Sequence, residues 1–184
     1  MRVQIKRLME GEEVLAGTAM GNLLLARLLE TVGEPTGPET LFLDFAGVSV
    51  ATASFLRDGP LAFRQVLRSK GSKYSPVFAN VGEKIMEELR LFLESRSDAV
   101  FCCTLSRNGA PSGARVVGRL DEKQSVTLEL VKNLREVDAS MLAAGGYDAR
   151  VKPTAWNNRL SALAEKGLVL ESIRGRTKRF RLSV

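Results

Sequence analysis

Apolar positions along the 184-residue chain follow two periods, one of helices and one of strands. "NLLLARLLE", Asn22 to Glu30, spaces Leu24 and Leu28 one helical turn apart and predicts a helix that begins near Gly21 or Asn22. "GEPTGPET", Gly33 to Thr40, is rich in chain breakers and reads as a loop. "LFLDF", Leu41 to Phe45, is a short apolar run with one carboxylate, as expected of a buried strand. "AGVSVATAS" then turns the chain into a helix over about Ser54 to Ser69. A second strand is expected over Ser75 to Asn80 and a third over Ala99 to Leu105. Between them lies an amphipathic helix, Gly82 to Arg96, with Ile85, Leu89, Phe92 and Leu93 on one face. Strands that alternate with helices in this way predict an α/β fold, with parallel neighbours joined by right-handed crossovers.

"SRNGAPSG", Ser106 to Gly113, mixes Asn-Gly, Pro and Ser, and it predicts a boundary between domains 1–111 and 112–184. "ARVVGRL" follows as a candidate strand. Asp121 and Gln124 have the spacing of a capping box, and the helix they open would turn Val126, Leu130, Val131 and Leu134 inward. A short second helix, Asp138 to Gly146, is capped by Asp138 and ended by glycines. The third runs from Pro153, suited to a first helical turn, to Gly167, suited to the position just past the end. Trp156, Leu160 and Leu163 form its buried stripe. "LVLESI" and "KRFRLSV" flank "RGR" and read as a hairpin.

Charge sharpens this division. Residues 1–111 carry 13 basic and 13 acidic side chains; residues 112–184 carry 14 and 8, which is all of the net +6. Such asymmetry points to a polyanionic partner for the second part. Hydrophobic residues make up 45% of the chain, enough for a packed core. No apolar run approaches the ~20 residues of a membrane helix, and there is no basic-then-apolar leader, so a cytoplasmic protein without a membrane partner is expected. Histidine is absent, which removes His-based triads and most zinc chemistry. Cys102 and Cys103 are adjacent in a strand, so they point to opposite faces and read as small hydrophobes. No phosphate-binding glycine loop and no paired-carboxylate site stands out, so neither an enzyme nor a cofactor or metal site is expected.

Three helices followed by a basic hairpin resemble the winged helix-turn-helix domains of bacterial transcription regulators such as the MarR-like and ArsR-like families. The likeness covers roughly Leu120 to Val184 and rests on the third-helix stripe, its glycine stop and "RGRTKRFRL". It departs from the family in the long connection Gly145 to Lys152. The resemblance implies double-stranded DNA as partner. Thr154, Asn157, Asn158 and Ser161 would face the major groove, where an asparagine can bond adenine with both ends of its amide. Arg174, Arg176, Lys178 and Arg179 would neutralise phosphates from the wing. Readers of this kind usually work as dimers on two half-sites, so a homodimer is expected.

"LFLDFAGVSVATASFL", Leu41 to Leu56, with "PVFAN", Pro76 to Asn80, resembles the STAS-like domains of bacteria over about Leu41 to Leu105. That likeness implies a sensing or pairing role and a regulatory protein partner. Ser54 matches the position of the serine that is phosphorylated in ordinary STAS domains, which makes it a candidate phosphorylation site, but the flanking acid and glycine are absent, and a helix cap is the plainer role for it. Two functions therefore remain open: a DNA-binding transcriptional regulator, or a protein-interaction adaptor in a STAS/kinase-like switch that does not bind DNA.

Overall fold

The apolar runs of the first part lie side by side as strands. The computed structural model describes residues 1–148 and 151–184. The chain runs β1 (Arg2–Gln4), α1 (Ile5–Leu8), β2 (Val14–Leu15), α2 (Gly17–Thr31), β3 (Glu39–Asp44), β4 (Val50–Ala51) and α3 (Ala53–Leu56). A π-helical turn (Arg57–Leu61) leads into α4 (Ala62–Ser69), β5 (Tyr74–Ala79), α5 (Glu83–Ser95), β6 (Ala99–Leu105) and β7 (Pro111–Gly118). Then come α6 (Glu122–Leu134), β8 (Glu136–Val137), α7 (Ala139–Ala144), α8 (Pro153–Glu165), β9 (Val169–Arg174) and β10 (Thr177–Leu182). Ala149 and Arg150, inside the long connection expected before α8, lie outside the described residues.

The main sheet has the order β1-β3-β5-β6-β7. Its first four strands are parallel, as the strand–helix alternation predicts, and β7 closes it antiparallel to β6. The expected boundary between 111 and 112 falls after the first residue of β7, so this sheet runs on to Gly118. A second sheet, β8-β10-β9, is antiparallel. β1 and β8 have no counterpart in the sequence reading; runs of three and two residues are too short to show a period.

Side-chain alternation sorts the main strands into two cores. Leu41, Leu43, Phe78, Val100 and Cys102 face one core, under α2, α3, α4 and α5. There Phe45 and Phe78 stack with centroids 5.8 Å apart. Val77, Ala79, Ala99, Phe101, Cys103 and Leu105 face the other, which they share with Leu128, Val131, Leu142, Trp156, Leu160, Leu163 and Phe180 of the last 60-odd residues. The two cysteines do point to opposite faces, and both are free. Burial pushes the Cys102 thiol up to about 12 and the Cys103 thiol up to about 11, so both stay protonated and inert.

Two local details differ from expectation. Helix Ala53–Ser69 is interrupted by the π turn around Pro60, which has no N–H to offer the regular ladder. That turn crosses α2 at two glycines: a Cβ on Gly21 would lie 3.1 Å from the Phe55 carbonyl, and one on Gly59 would lie 3.2 Å from the Gly21 carbonyl. In α6 the inward face is Thr127, Leu128 and Val131, while Val126 and Leu134 are exposed. Thr127 is admitted because its hydroxyl donates to the Lys123 carbonyl at 2.6 Å and so carries no unpaired polar group inward. The capping box is present as expected, with Gln124 N–H donating to Asp121 Oδ1 at 2.8 Å.

Trp156 is fully buried in the second core. Trp156→Ala is expected to lower stability by ~3–5 kcal/mol, as truncation of a large core aromatic does. Thermal melting measures the loss, and the emission of this single tryptophan in the unaltered protein should be that of a buried indole. An exposed emission maximum with an unchanged melting point would refute the assignment.

Candidate nucleic-acid interface

The buried stripe of α8 fixes what its other face presents. Pro153 occupies the first turn, as expected. At the other end Gly167 takes φ +70°, its N–H donates to the Ala164 carbonyl at 2.8 Å, and Leu168 N–H donates to the Leu163 carbonyl at 3.0 Å. With Trp156, Leu160 and Leu163 inward, Thr154 and Asn158 are exposed, and Asn157 and Ser161 are half-buried. The four expected base-reading residues thus lie on one helix, with their side chains graded from open to flanking. Arg159 lays its guanidinium over the face of the Trp156 ring, 4.7 Å from its centroid.

The hairpin turns through Gly175, at φ +63°, and Arg176. Phe180 anchors it in the core opposite Glu171. Arg174, Arg176 and Lys178 are exposed, and Arg179 is half-buried. Three of these four cations have a carboxylate at hand: Arg174 lies 3.6 Å from Glu136, Lys178 2.7 Å from Glu171 and Arg179 3.2 Å from Asp138. Arg176, at the tip, forms no ion pair with a described residue. The Arg179 pair differs in kind. Asp138 is buried and also caps α7 through the Met141 N–H at 2.8 Å, so Arg179 clamps the wing to that helix.

Beneath α8 lies a polar cluster that ties the two parts together. Arg64 of α4 is buried and donates to both oxygens of Asp98, at 2.6 and 3.2 Å. Its Nη2 also reaches the Ala99 carbonyl at 2.5 Å and the Lys166 carbonyl, just past the end of α8, at 2.6 Å. Lys166 returns the contact through Nζ, to the Ser97 carbonyl at 2.9 Å and to Asp98 at 3.4 Å. Burial, then the charge of Arg68, holds the Arg64 pKa down to about 10. Burial alone would raise the Asp98 carboxyl, but the Arg64 hydrogen bonds and the charges of Arg64 and Arg68 keep it well below the usual carboxylate range. Nothing local in the sequence signals this cluster, because its members are 34 and 102 residues apart.

The first part has a comparable knot at the ends of its parallel strands. Asp44 is fully buried and accepts from Arg2 at 2.5 and 2.8 Å, from Asn80 Nδ2 at 2.7 Å and from Ala46 N–H at 3.0 Å. Asn80 Oδ1 in turn accepts from Leu105 N–H at 2.9 Å. Every lone-pair direction of the carboxylate is engaged, so it joins strands. The helix cap expected at Ser54 belongs to Thr52, because the chain is already helical at Ala53. Thr52 Oγ1 accepts from Phe55 N–H at 3.4 Å and from Gly17 N–H at 3.1 Å. Ser54 is half-buried, with its hydroxyl 3.1 Å from that of Thr52.

Among the described residues no helix is long and apolar enough to cross a membrane. In comparisons with known proteins the chain matches no protein-family model and no curated protein.

Asp98→Asn leaves Arg64 buried beside a neutral partner and is expected to cost ~3–5 kcal/mol at neutral pH. The sign with pH follows from the lowered carboxyl. Its contribution is complete above the unfolded value of about 4 and is lost as pH falls toward the lower folded value. The gap in melting temperature between the two proteins should therefore narrow below about pH 4. A gap that does not change between pH 7 and pH 2 would show that the carboxylate charge is not what holds the cluster.

Proposed function

We propose that the chain is a DNA-binding transcriptional regulator, with a winged helix-turn-helix over Leu120 to Val184 and a STAS-like α/β unit before it that pairs or senses. The observation that carries this reading is the order α6, β8, α7, α8, β9, β10, with the outer face of α8 and the tip of the hairpin both left to solvent. A helix entering a major groove needs short polar side chains on its open face, and Thr154, Asn158 and the flanking Asn157 and Ser161 supply them. A wing needs cations at its tip, and Arg176 and Arg174 supply these. Lys178 and Arg174 can serve although they are paired, because exposed ion pairs contribute only ~0–1 kcal/mol and are readily exchanged for phosphate. Arg179 is better suited to holding the wing against α7. Two half-sites read by a homodimer would supply the specificity that one such unit lacks. The reading needs no cofactor.

The second reading is an adaptor that docks a regulatory protein and binds no DNA. It draws on the same three ion pairs, since a surface whose cations already have carboxylates offers less free positive charge to a polyanion.

Titration of duplexes at several salt concentrations separates these readings. Arg176→Ala should weaken preferred and scrambled duplexes about equally and flatten the log-affinity against log-salt slope by about 0.9. Asn158→Ala should cost ~1–3 kcal/mol on the preferred duplex alone and leave the slope unchanged. Absence of duplex binding at low salt would select the adaptor.

A further inference from the structure

A cleft of about 580 Å³ opens between the α/β unit and the underside of the hairpin. Its lining includes the apolar Leu67, Pro76 and Val169, and α4, which supplies Leu67, also places Arg64 and Arg68 there. These two side chains hold three buried nitrogens that meet no hydrogen-bond partner: Arg64 Nε, Arg68 Nε and Arg68 Nη2. Buried donors are almost always paired, and donors on a charged group are the costliest to leave unmade. The local charge is also unbalanced. Arg64, Arg68 and Lys166 share the single carboxylate of Asp98. Two carboxylates do line the cleft, but Glu171 is paired with Lys178 at 2.7 Å and Glu165 is exposed.

We propose that this cleft binds a small organic anion, with a carboxylate or phosphate head against Arg68 and an apolar body against Leu67, Pro76 and Val169. Nε and Nη2 share one edge of the planar Arg68 guanidinium, and that edge, buried and without a partner, matches the two oxygens of such a head group once the half-buried side chain turns toward the cleft. The neighbouring Arg64 holds the Lys166 carbonyl, so the head group sits one side chain away from the end of α8. Occupancy of the cleft is thereby sensed where the helix passes into the wing. The site stands on this geometry alone, whether or not α8 reads DNA.

Calorimetric titration with benzoate, phenyl phosphate, inorganic phosphate and neutral benzyl alcohol tests the proposal in a phosphate-free buffer. Benzoate or phenyl phosphate should bind in the millimolar range or tighter and should raise the melting temperature, and benzyl alcohol should not bind. The stronger of the two identifies the head group. Arg68→Gln should weaken binding at least tenfold, while Arg90→Gln, on α5 away from the cleft, should leave it unchanged. Gly37→Trp is a second variant, because Gly37 lines the cleft and a Cβ there meets nothing within 4 Å. It blocks the space without touching the ion cluster, and it decides the matter if Arg68→Gln no longer melts cooperatively. Absence of binding by every anion, equal binding of benzyl alcohol, or affinity unchanged by Arg68→Gln would overturn the proposal. Binding of inorganic phosphate alone would overturn its organic part.

Discussion

β5 and β6 carry apolar side chains on both faces, and the rest of the chain is arranged around keeping both faces dry. Parallel strands of this kind occur almost only where layers cover each side. Each large apolar side chain taken out of water contributes about 1.5–3 kcal/mol, so a wet face bearing Phe101, Val77 and Leu105 would weaken the whole sheet. α2, α4 and α5 cover one side, and the helices and hairpin of the last third cover the other. The last third is thus a wall of the first part's core as well as a unit with a surface of its own. The Arg64–Asp98–Lys166 cluster is the polar counterpart of that apolar seam. It fixes where α8 ends relative to the sheet, which apolar contact alone, being non-directional, does not.

Much of this was legible in the sequence, and the failures have physical causes. Trp156, Leu160 and Leu163 could be read because a single helix face carries them at i, i+4 and i+7. The strand Ala99–Leu105 could be read to the residue, since it is apolar on both faces and bounded by polar turns. In α6 Val131 and Leu130 face the core as expected, while Val126 and Leu134 lie about one residue of rotation outside it. Val126 and Leu134 fit a stripe as well as Leu128 does, and only the Thr127 hydroxyl, satisfied by its own helix, reveals which stripe is inside. The cap at Thr52 instead of Ser54 depended on where the backbone turns helical, the least legible property of a helix. Of the candidate DNA-contacting residues, positions on α8 followed from periodicity. The carboxylates facing Arg174, Lys178 and Arg179 did not, because strand pairing and tertiary packing bring them close. Arg64 was silent for the same reason.

Charge in the hairpin is held in place. Lys178 and Glu171 lie on facing strands, Arg174 reaches across to β8, and Arg179 is tied to the cap of α7. Each pair restrains a long side chain that would otherwise lose conformational freedom on meeting a partner. The hairpin therefore offers a cationic surface of defined shape at some cost in free charge, with Arg176 at the tip and Arg181 on β10 outside the ion pairs among the described residues.

The shared second core also bears on how the chain comes off the ribosome. Residues through Gly118 contain every strand of the main sheet and every helix that covers its first face, and they emerge before the last third. Until Leu128, Val131 and Leu142, and then Trp156, Leu163 and Phe180, follow, the other face of that sheet lacks its cover. A nascent chain paused just after β7 would present Phe101, Cys103 and Leu105 to whatever is nearby. The interval between synthesis of β7 and of β10 is thus the span in which this protein is most exposed to chaperone capture or to pairing with another copy.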